Sequence, residues 1–365
     1  MVKFYSIYKS DDKIKNKIIK SIKGVIKKNN FILGSEVKDF ENKFKKLSRS
    51  KFAISCSNGT DAITLALLSL SLKKNSEVII PAMTYASTFY AVINAGLKPV
   101  LVDINSSDPL INLESIKKKI NRKTRVIIPV HLYGSVVDLS KIKKIISNKK
   151  IYIIDDCSQA HGAYHDNKKN RVGGDGDSHI STFSLYPGKN LGAYGDAGII
   201  TTNIKKISDN LKIIRNIGAS KKFDHSMIGH NNRLDTLQAA VLYHKIDNLD
   251  YLNKKRMLIS KKYFKEISNK KIYFLNYSKY AVFHQFVIRT KNRNKLAKYL
   301  KKNQIEFGFH YPHTINQMRY YKKNFKLETF RNAEKLAKEC LSLPIDPMLK
   351  TKEINLVIKT LNNFK

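Results

Sequence analysis

Apolar residues recur along this chain with two different periods. Residues 12–30 place Ile14, Ile18, Ile19, Ile22 and Ile26 at helical spacing among lysines, which predicts an amphipathic helix. The run FILG at 31–34 breaks it, and 36–47 predicts a second helix. From there short apolar runs take over: FAISCS (52–57), EVIIPA (77–82), KPVLVDI (98–104), RVIIPVHL (125–132), IYIIDD (151–156), HISTFSL (179–185) and AGIITT (197–202). Helical stretches such as 61–72 and 88–95 lie between the earlier ones. Strands alternating with helices predict an α/β fold with a mainly parallel sheet covered on both faces. After Arg233 one long helical pattern runs to 267. A smaller α+β region follows, with strands near 272–275 and 283–289 and a last helix over 351–364. With no repeat and no Pro/Ser-rich linker, the two parts are expected to share an interface.

Composition sharpens this picture in places. A length of 365 residues, 42% of them hydrophobic, is enough for one large and one small domain at roughly 100–200 residues each. Lys+Arg number 68 and Asp+Glu 29, a net charge of 68 − 29 = +39. Such a charge raises the question of nucleic acid. The lysines, however, are spread over the whole chain among Asn and Ile, with no basic heptad helix, finger or RNA-binding signature. This diffuse pattern fits a residue bias toward A/T-rich codons, and no specific nucleic-acid partner is expected. The three cysteines (Cys56, Cys157, Cys340) are far apart, which excludes a disulfide framework and a zinc ribbon. No Cys/His/Asp cluster has ligand spacing, so no metal is expected, and His131 and His161 read as packing or cap residues. The N-terminus has no apolar signal region and no run reaches the roughly 18 apolar residues of a membrane span, so a cytoplasmic protein is expected.

Three segments carry candidate chemistry. Ser57-Asn58-Gly59-Thr60-Asp61 lies between a strand and a helix, where a glycine admits close approach and a helix N-terminus offers N–H groups to an anion. The same residues also suit an ordinary capped turn. Asp155 and Asp156 end a hydrophobic strand, where open α/β sheets place their ligands, although a helix cap is an equal reading. Lys189 sits in YPGKNLGAYGD, bracketed by Gly, Pro and aromatics. A lysine in a desolvated pocket loses its proton and can form a Schiff base. Together, a phosphate-binding turn, a strand-end acid and a loop lysine are the parts that pyridoxal phosphate requires.

With these residues in hand the chain resembles the DegT/DnrJ/EryC1/StrS family of sugar-nucleotide aminotransferases almost end to end. The resemblance rests on FILGSEVKDFE, SNGTDAITLAL, PAMTYASTFYAVINAG, PVHLYG, DDCSQAHGA, FSLYPGKNLGAYGD, GHNNRLDTLQAAVL and LAKECLSLPIDP. It implies a type I (aspartate aminotransferase-like) fold: a lead-in and helix over 1–34 packing on the small domain, a large pyridoxal phosphate domain over 35–245 with a mostly parallel seven-stranded sheet, and a small α+β domain over 246–365. It further implies that Lys189 is the Schiff-base lysine and proton shuttle, and that Asp156 holds the pyridinium nitrogen. Gln159 would lie beside the phenolic oxygen, Tyr85 would stack on the ring, and Gly59, Thr60 and Ser184 would hold the phosphate. Asn231 would reach the phosphate of a neighbouring subunit, which implies at least a homodimer. A lysine at 189 separates the chain from the related dehydratases, which carry histidine there.

The wording around Lys189 resembles members that aminate C3 of a dTDP-linked 3-keto-6-deoxyhexose with glutamate as donor, which would put Tyr186, His310 and Tyr311 near the sugar. Three departures from the family pattern stand out: Ala197 in Gly-Asp-Ala-Gly, a slightly longer stretch over 166–182, and Thr314 and Asn316 where Tyr-Pro-x-Pro-x-His is usual. A 4-keto UDP, GDP or dTDP sugar or a keto-cyclitol is an alternative substrate, and a non-catalytic polyanion-binding or regulatory relative is a remote alternative.

Overall fold

The computed structural model describes residues 1–6, 9–165, 170–174 and 178–365, so part of the longer 166–182 stretch lies outside the described residues. All seven expected runs form strands of one sheet: β1 (Phe52–Cys56), β2 (Glu77–Pro81), β3 (Lys98–Val102), β4 (Thr124–Ile127), β5 (Tyr152–Asp156), β6 (Ile180–Ser184) and β7 (Gly198–Thr202). Their order is β1-β7-β6-β5-β4-β2-β3. Every pairing is parallel except the two made by β7, which runs against both β1 and β6. Most strands are apolar on both sides because both sides are covered, as parallel sheets require.

The first four helices are α1 (Lys15–Lys28), α2 (Ser35–Ser48), α3 (Gly59–Ser69) and α4 (Ala86–Asn94). Ile54, Val78, Ile80, Ile154 and Ile200 pack on one face of the sheet with α3, α4 and the helix Lys205–Ile214. Phe183 and Ile199 pack on the other with Phe40 and Phe44 of α2 and with the helix Thr236–Lys245. α3 is buried almost all round, which suits its Ala/Leu/Ile sequence and sets it against the sheet below the site.

The long helical pattern after Arg233 is two helices, Thr236–Lys245 and Leu249–Glu266, joined by a 3-10 turn at Ile246–Asn248. A short hairpin, β8 (Ala219–Lys221) and β9 (Asp224–His225), precedes them. The second sheet is antiparallel: β10 (Tyr273–Phe274), β11 (Phe286–Arg289) and β12 (Cys340–Leu343). β12 has no turn signal before it, because it follows the helix Arg331–Glu339 directly. At the N-terminus, Val2 bridges Ile305, and the Phe4 and Ser6 N–H groups donate to Glu306 and Asp346, both at 2.8 Å. α1 lies instead on the helix Thr236–Lys245, with Ser21 Oγ 2.7 Å from His244 Nε2. No helix among the described residues is long and apolar enough to cross a membrane.

Candidate active site

The carboxyl ends of β1, β2, β5 and β6 converge on one cavity of about 780 Å³. β1 delivers the start of α3. Asn58 caps it: its side-chain oxygen accepts from the Asp61 N–H at 2.9 Å and its carbonyl from the Ala62 N–H at 3.0 Å. The Asp61 carboxylate is turned to Ser57 Oγ and Asn58 Nδ2. Of the first-turn donors, the Gly59 and Thr60 N–H groups are therefore left for a ligand. Gly59 also presses on the end of β6, since a Cβ there would lie 2.4 Å from the Ser184 Cβ. Only glycine fits, and this close approach draws the helix N-terminus and Ser184 into a single cradle. The chemistry of that cradle suits a phosphate.

β5 ends in Asp156, which is buried. Its Oδ2 accepts from Thr88 Oγ1 of α4 at 3.0 Å and its Oδ1 from the Ser158 N–H at 3.1 Å. Two neutral donors leave a buried carboxylate short of a cation, which a protonated ring nitrogen would supply. Gln159 is held by the Tyr133 N–H, which donates to Oε1 at 2.6 Å, and its Nε2 donates to Tyr311 Oη at 3.0 Å. Tyr133 Oη donates to the His310 carbonyl, tying the same loop to the substrate segment. Lys189 follows β6, with its N–H bonded to the Tyr186 carbonyl at 2.8 Å. Desolvation lowers its amine from the ordinary lysine value to about 8, against the opposing pull of Asp156. An amine lowered this far gives up its proton more readily than a solvated lysine, and the neutral form is the one a nucleophile or proton shuttle needs.

The model of the DegT/DnrJ/EryC1/StrS aminotransferase family matches residues 12–362. The chain belongs to that family. By its family it is an enzyme, a pyridoxal phosphate-dependent sugar aminotransferase. It is 37% identical, over 100% of this chain and 99% of the relative, to a dTDP-3-amino-3,6-dideoxy-alpha-D-galactopyranose transaminase of Aneurinibacillus thermoaerophilus. It is 32% identical, over 100% of both chains, to a UDP-2-acetamido-2-deoxy-3-oxo-D-glucuronate aminotransferase of Pseudomonas aeruginosa. Among solved structures, S. venezuelae DesV in complex with a ketimine intermediate superposes with a TM-score of 0.95 at 31% identity, covering 99% of this chain and 97% of that one.

Ten of the residues singled out in the sequence line this cavity of the aminotransferase: Gly59, Thr60, Tyr85, Asp156, Gln159, Ser184, Tyr186, Lys189, His310 and Tyr311. Tyr85 and Tyr186 are both 58% exposed at its mouth, and the Tyr85 ring is 5.6 Å from that of Tyr311. His310 stacks on Phe4 and its Nδ1 lies 2.7 Å from Ser342 Oγ; burial, with Lys189 nearby, pushes its pKa down to about 4. Asn231 does not line this cavity; it is exposed, and its Oδ1 accepts from Arg233 at 2.7 Å. The departures Thr314 and Asn316 also lie off the cavity, hydrogen-bonded to each other, with Asn316 Nδ2 donating to the Glu328 carbonyl and Glu334.

Sequence reading missed Arg256, His284 and Gln285, which also line the cavity. Arg256 is buried on the helix Leu249–Glu266; one arm donates to the Ile345 carbonyl at 3.0 Å, and Nε has no partner among the described residues. It stands in the run NKKR, where nothing local separates it from solvated lysines. The fold also gathers His131, Asp155 and Cys157, whose spacing in sequence gave no hint of a cluster, with ligand atoms within 4.8 Å of one another. They are hydrogen-bonded to one another through one oxygen of Asp155, while its Oδ1 has no partner among the described residues. His131 Nδ1 accepts from the Val137 N–H, while its Nε2 and the Cys157 thiol both donate to Asp155 Oδ2. Burial pushes that thiol well above its ordinary range, so it is a donor and not a thiolate.

Proposed function

We propose that this enzyme uses pyridoxal phosphate and glutamate to aminate C3 of a dTDP-linked 3-keto-6-deoxyhexose. The observation that carries the reading is the meeting, in one cavity, of a lysine amine lowered to about 8, a cation-seeking strand-end carboxylate and a glycine-tight helix N-terminus. When bound, pyridoxal phosphate supplies the electron sink for exchanging an amine and a carbonyl.

The chain's own residues do the rest. Gly59, Thr60 and Ser184 bind the phosphate, Asp156 keeps a positive charge on the ring nitrogen, Gln159 orients the ring edge and Tyr85 covers its face. Lys189 carries a proton between the donor carbon and its acceptor as general base and acid. Tyr186, His310 and Tyr311 receive the sugar. Arg256 offers a buried guanidinium to the diphosphate, whose oxygens match its fork. Asn231 completes the phosphate site of a second copy in a homodimer.

The test is an absorption spectrum of the purified protein with pyridoxal phosphate, before and after L-glutamate, beside a Lys189→Ala variant. Glutamate should bleach the visible band of the wild type. The amino-sugar half is then screened in reverse, with dTDP-, UDP- and GDP-linked amino sugars and 2-oxoglutarate. Failure of glutamate to change the band of a folded, cofactor-loaded protein rejects glutamate as donor. A preference for a UDP- or GDP-linked sugar moves the assignment to that nucleotide.

A further inference from the structure

Behind Lys189 lies a chain of side-chain amides whose directions are fixed by main-chain carbonyls. Asn253, on the helix Leu249–Glu266, donates from Nδ2 to the His161 carbonyl at 2.8 Å. A carbonyl can only accept, so Asn253 Oδ1 is the end that meets Asn190. Asn190 Nδ2 donates to that Oδ1 at 2.8 Å and to the Val282 carbonyl at 3.2 Å. Two independent carbonyls thus orient the pair, and Asn190 Oδ1 is left facing His284 Nδ1 at 3.1 Å. An amide oxygen has no proton to give, so His284 Nδ1 carries one. In the neutral ring the other nitrogen is then bare.

His284 is itself buried, and it lines the cavity. None of its hydrogen bonds among the described residues uses Nε2, and that nitrogen is not one of the fully enclosed unpartnered atoms, so it opens to the cavity. Burial, together with the charges of Lys189 and Arg256, holds its pKa well below the ordinary histidine value, so the ring stays neutral. It shares the lining of the cavity with Arg256 and His310, and their charges and that of Lys189 act on it.

We infer that His284 is a specificity residue: its proton is locked on Nδ1 by Asn190, and its bare Nε2 is a standing hydrogen-bond acceptor that reads a hydroxyl of the sugar. This rests on the aminotransferase reading above. A keto oxygen, phosphates and the carboxylates of the amino donor are acceptors, which a bare nitrogen does not bind. Among the donors, the ammonium of glutamate is the reacting group, and a sugar hydroxyl is the one free to meet Nε2. The same lone pair would disfavour substrates with no hydroxyl at that position, because Nε2 would be desolvated without a partner.

The test uses the full-length protein loaded with pyridoxal phosphate. Nitrogen-15 histidine labelling, with the His284 signals assigned by their loss in His284→Asn, should report a neutral ring protonated on Nδ1; a proton on Nε2, or on both nitrogens, overturns the inference. His284→Asn keeps a donor toward Asn190 and is too short to place an acceptor at the Nε2 position. It should leave the glutamate half-reaction within about threefold of wild type and raise KM for the best amino sugar of the screen about tenfold. It should not change inhibition by the free nucleoside diphosphate. His284→Gln, which returns an oxygen near the Nε2 position, should recover most of the loss. An unchanged KM in His284→Asn, an equal fall in both half-reactions, or weaker binding of the free nucleotide sinks the specificity role. A wild type inert with glutamate and with every amino sugar would instead sink the aminotransferase reading.

Discussion

Gly59 and Ser184 stand at the ends of two strands that are not neighbours in the sheet, yet a Cβ on Gly59 would lie 2.4 Å from the Ser184 Cβ and 2.9 Å from its Cα. β1 and β6 are separated by β7. The missing side chain is what lets their following loops close into one cradle.

Gly59→Ala should therefore open that cradle. A backbone neighbour cannot give way as a flexible side chain does, and overpacking of this kind costs about 1–3 kcal/mol. The expected result is a folded protein whose melting temperature is lower and whose affinity for pyridoxal phosphate falls about tenfold or more. Thermal denaturation and an absorbance titration check both parts; wild-type affinity would show that the phosphate lies elsewhere.

The lysine amine makes a pH prediction for the cofactor-free protein. With a folded pKa of about 8, below the ordinary lysine value, the native state binds fewer protons than the unfolded chain between about pH 8 and the normal lysine range. Burying the ammonium costs stability below pH 8, and this cost is relieved as pH rises through that window. Lys189→Met removes it at every pH. The apoprotein of this variant should melt above wild type at pH 7, and the gap should shrink by pH 10. A gap independent of pH contradicts the shifted amine.

Tyr133 tests the tie between Gln159 and the substrate segment. Tyr133→Phe leaves the half-buried His310 carbonyl without its donor, at a cost of about 1 kcal/mol. Since the N–H that holds Gln159 belongs to the main chain, the glutamate half-reaction should change little, while KM for the amino sugar rises. Half-reaction kinetics with each substrate separate the two effects.

Arg256→Met should raise KM for the nucleotide sugar about thirtyfold or more, as expected when a buried ion contact worth about 2 kcal/mol or more is lost. Arg256→Lys should restore it only in part, because a point charge cannot match the fork. Competition by the free nucleoside diphosphate gives the check: inhibition that is unchanged in Arg256→Met would remove the diphosphate from this residue.

Shared sites predict complementation. Lys189→Ala and Asn231→Ala each lie in a different half of the proposed composite site. If two copies share sites, a refolded equal mixture should regain about a quarter of wild-type activity, from mixed dimers holding one intact site. No recovery in an assembled mixture would place both residues in the same chain's site.

Much of this was legible in the chain because the signals are local. Lys189 is framed by Pro187 and Gly188, Asp156 ends an apolar run, and Asn58-Gly59-Thr60 joins a strand to a helix. Each announces a backbone shape within a few residues, and together they pointed to the resemblance. Arg256 and His284 announce nothing. One stands in a basic run, the other inside FHQFV beside β11, and each gains its setting from segments far away in sequence.

The seven strands, the α/β class, the family and the loops that carry Gly59, Asp156 and Lys189 follow from local pattern, since periodicity and turn chemistry are properties of neighbouring residues. The remaining features come from packing. It set β7 against the grain of the sheet, left Asn231 outside its own cavity, lowered the Lys189 amine by burial and fixed the His284 proton through Asn190 and Asn253. Desolvation and hydrogen-bond direction depend on which distant atoms come within a few ångströms, and no local pattern encodes that.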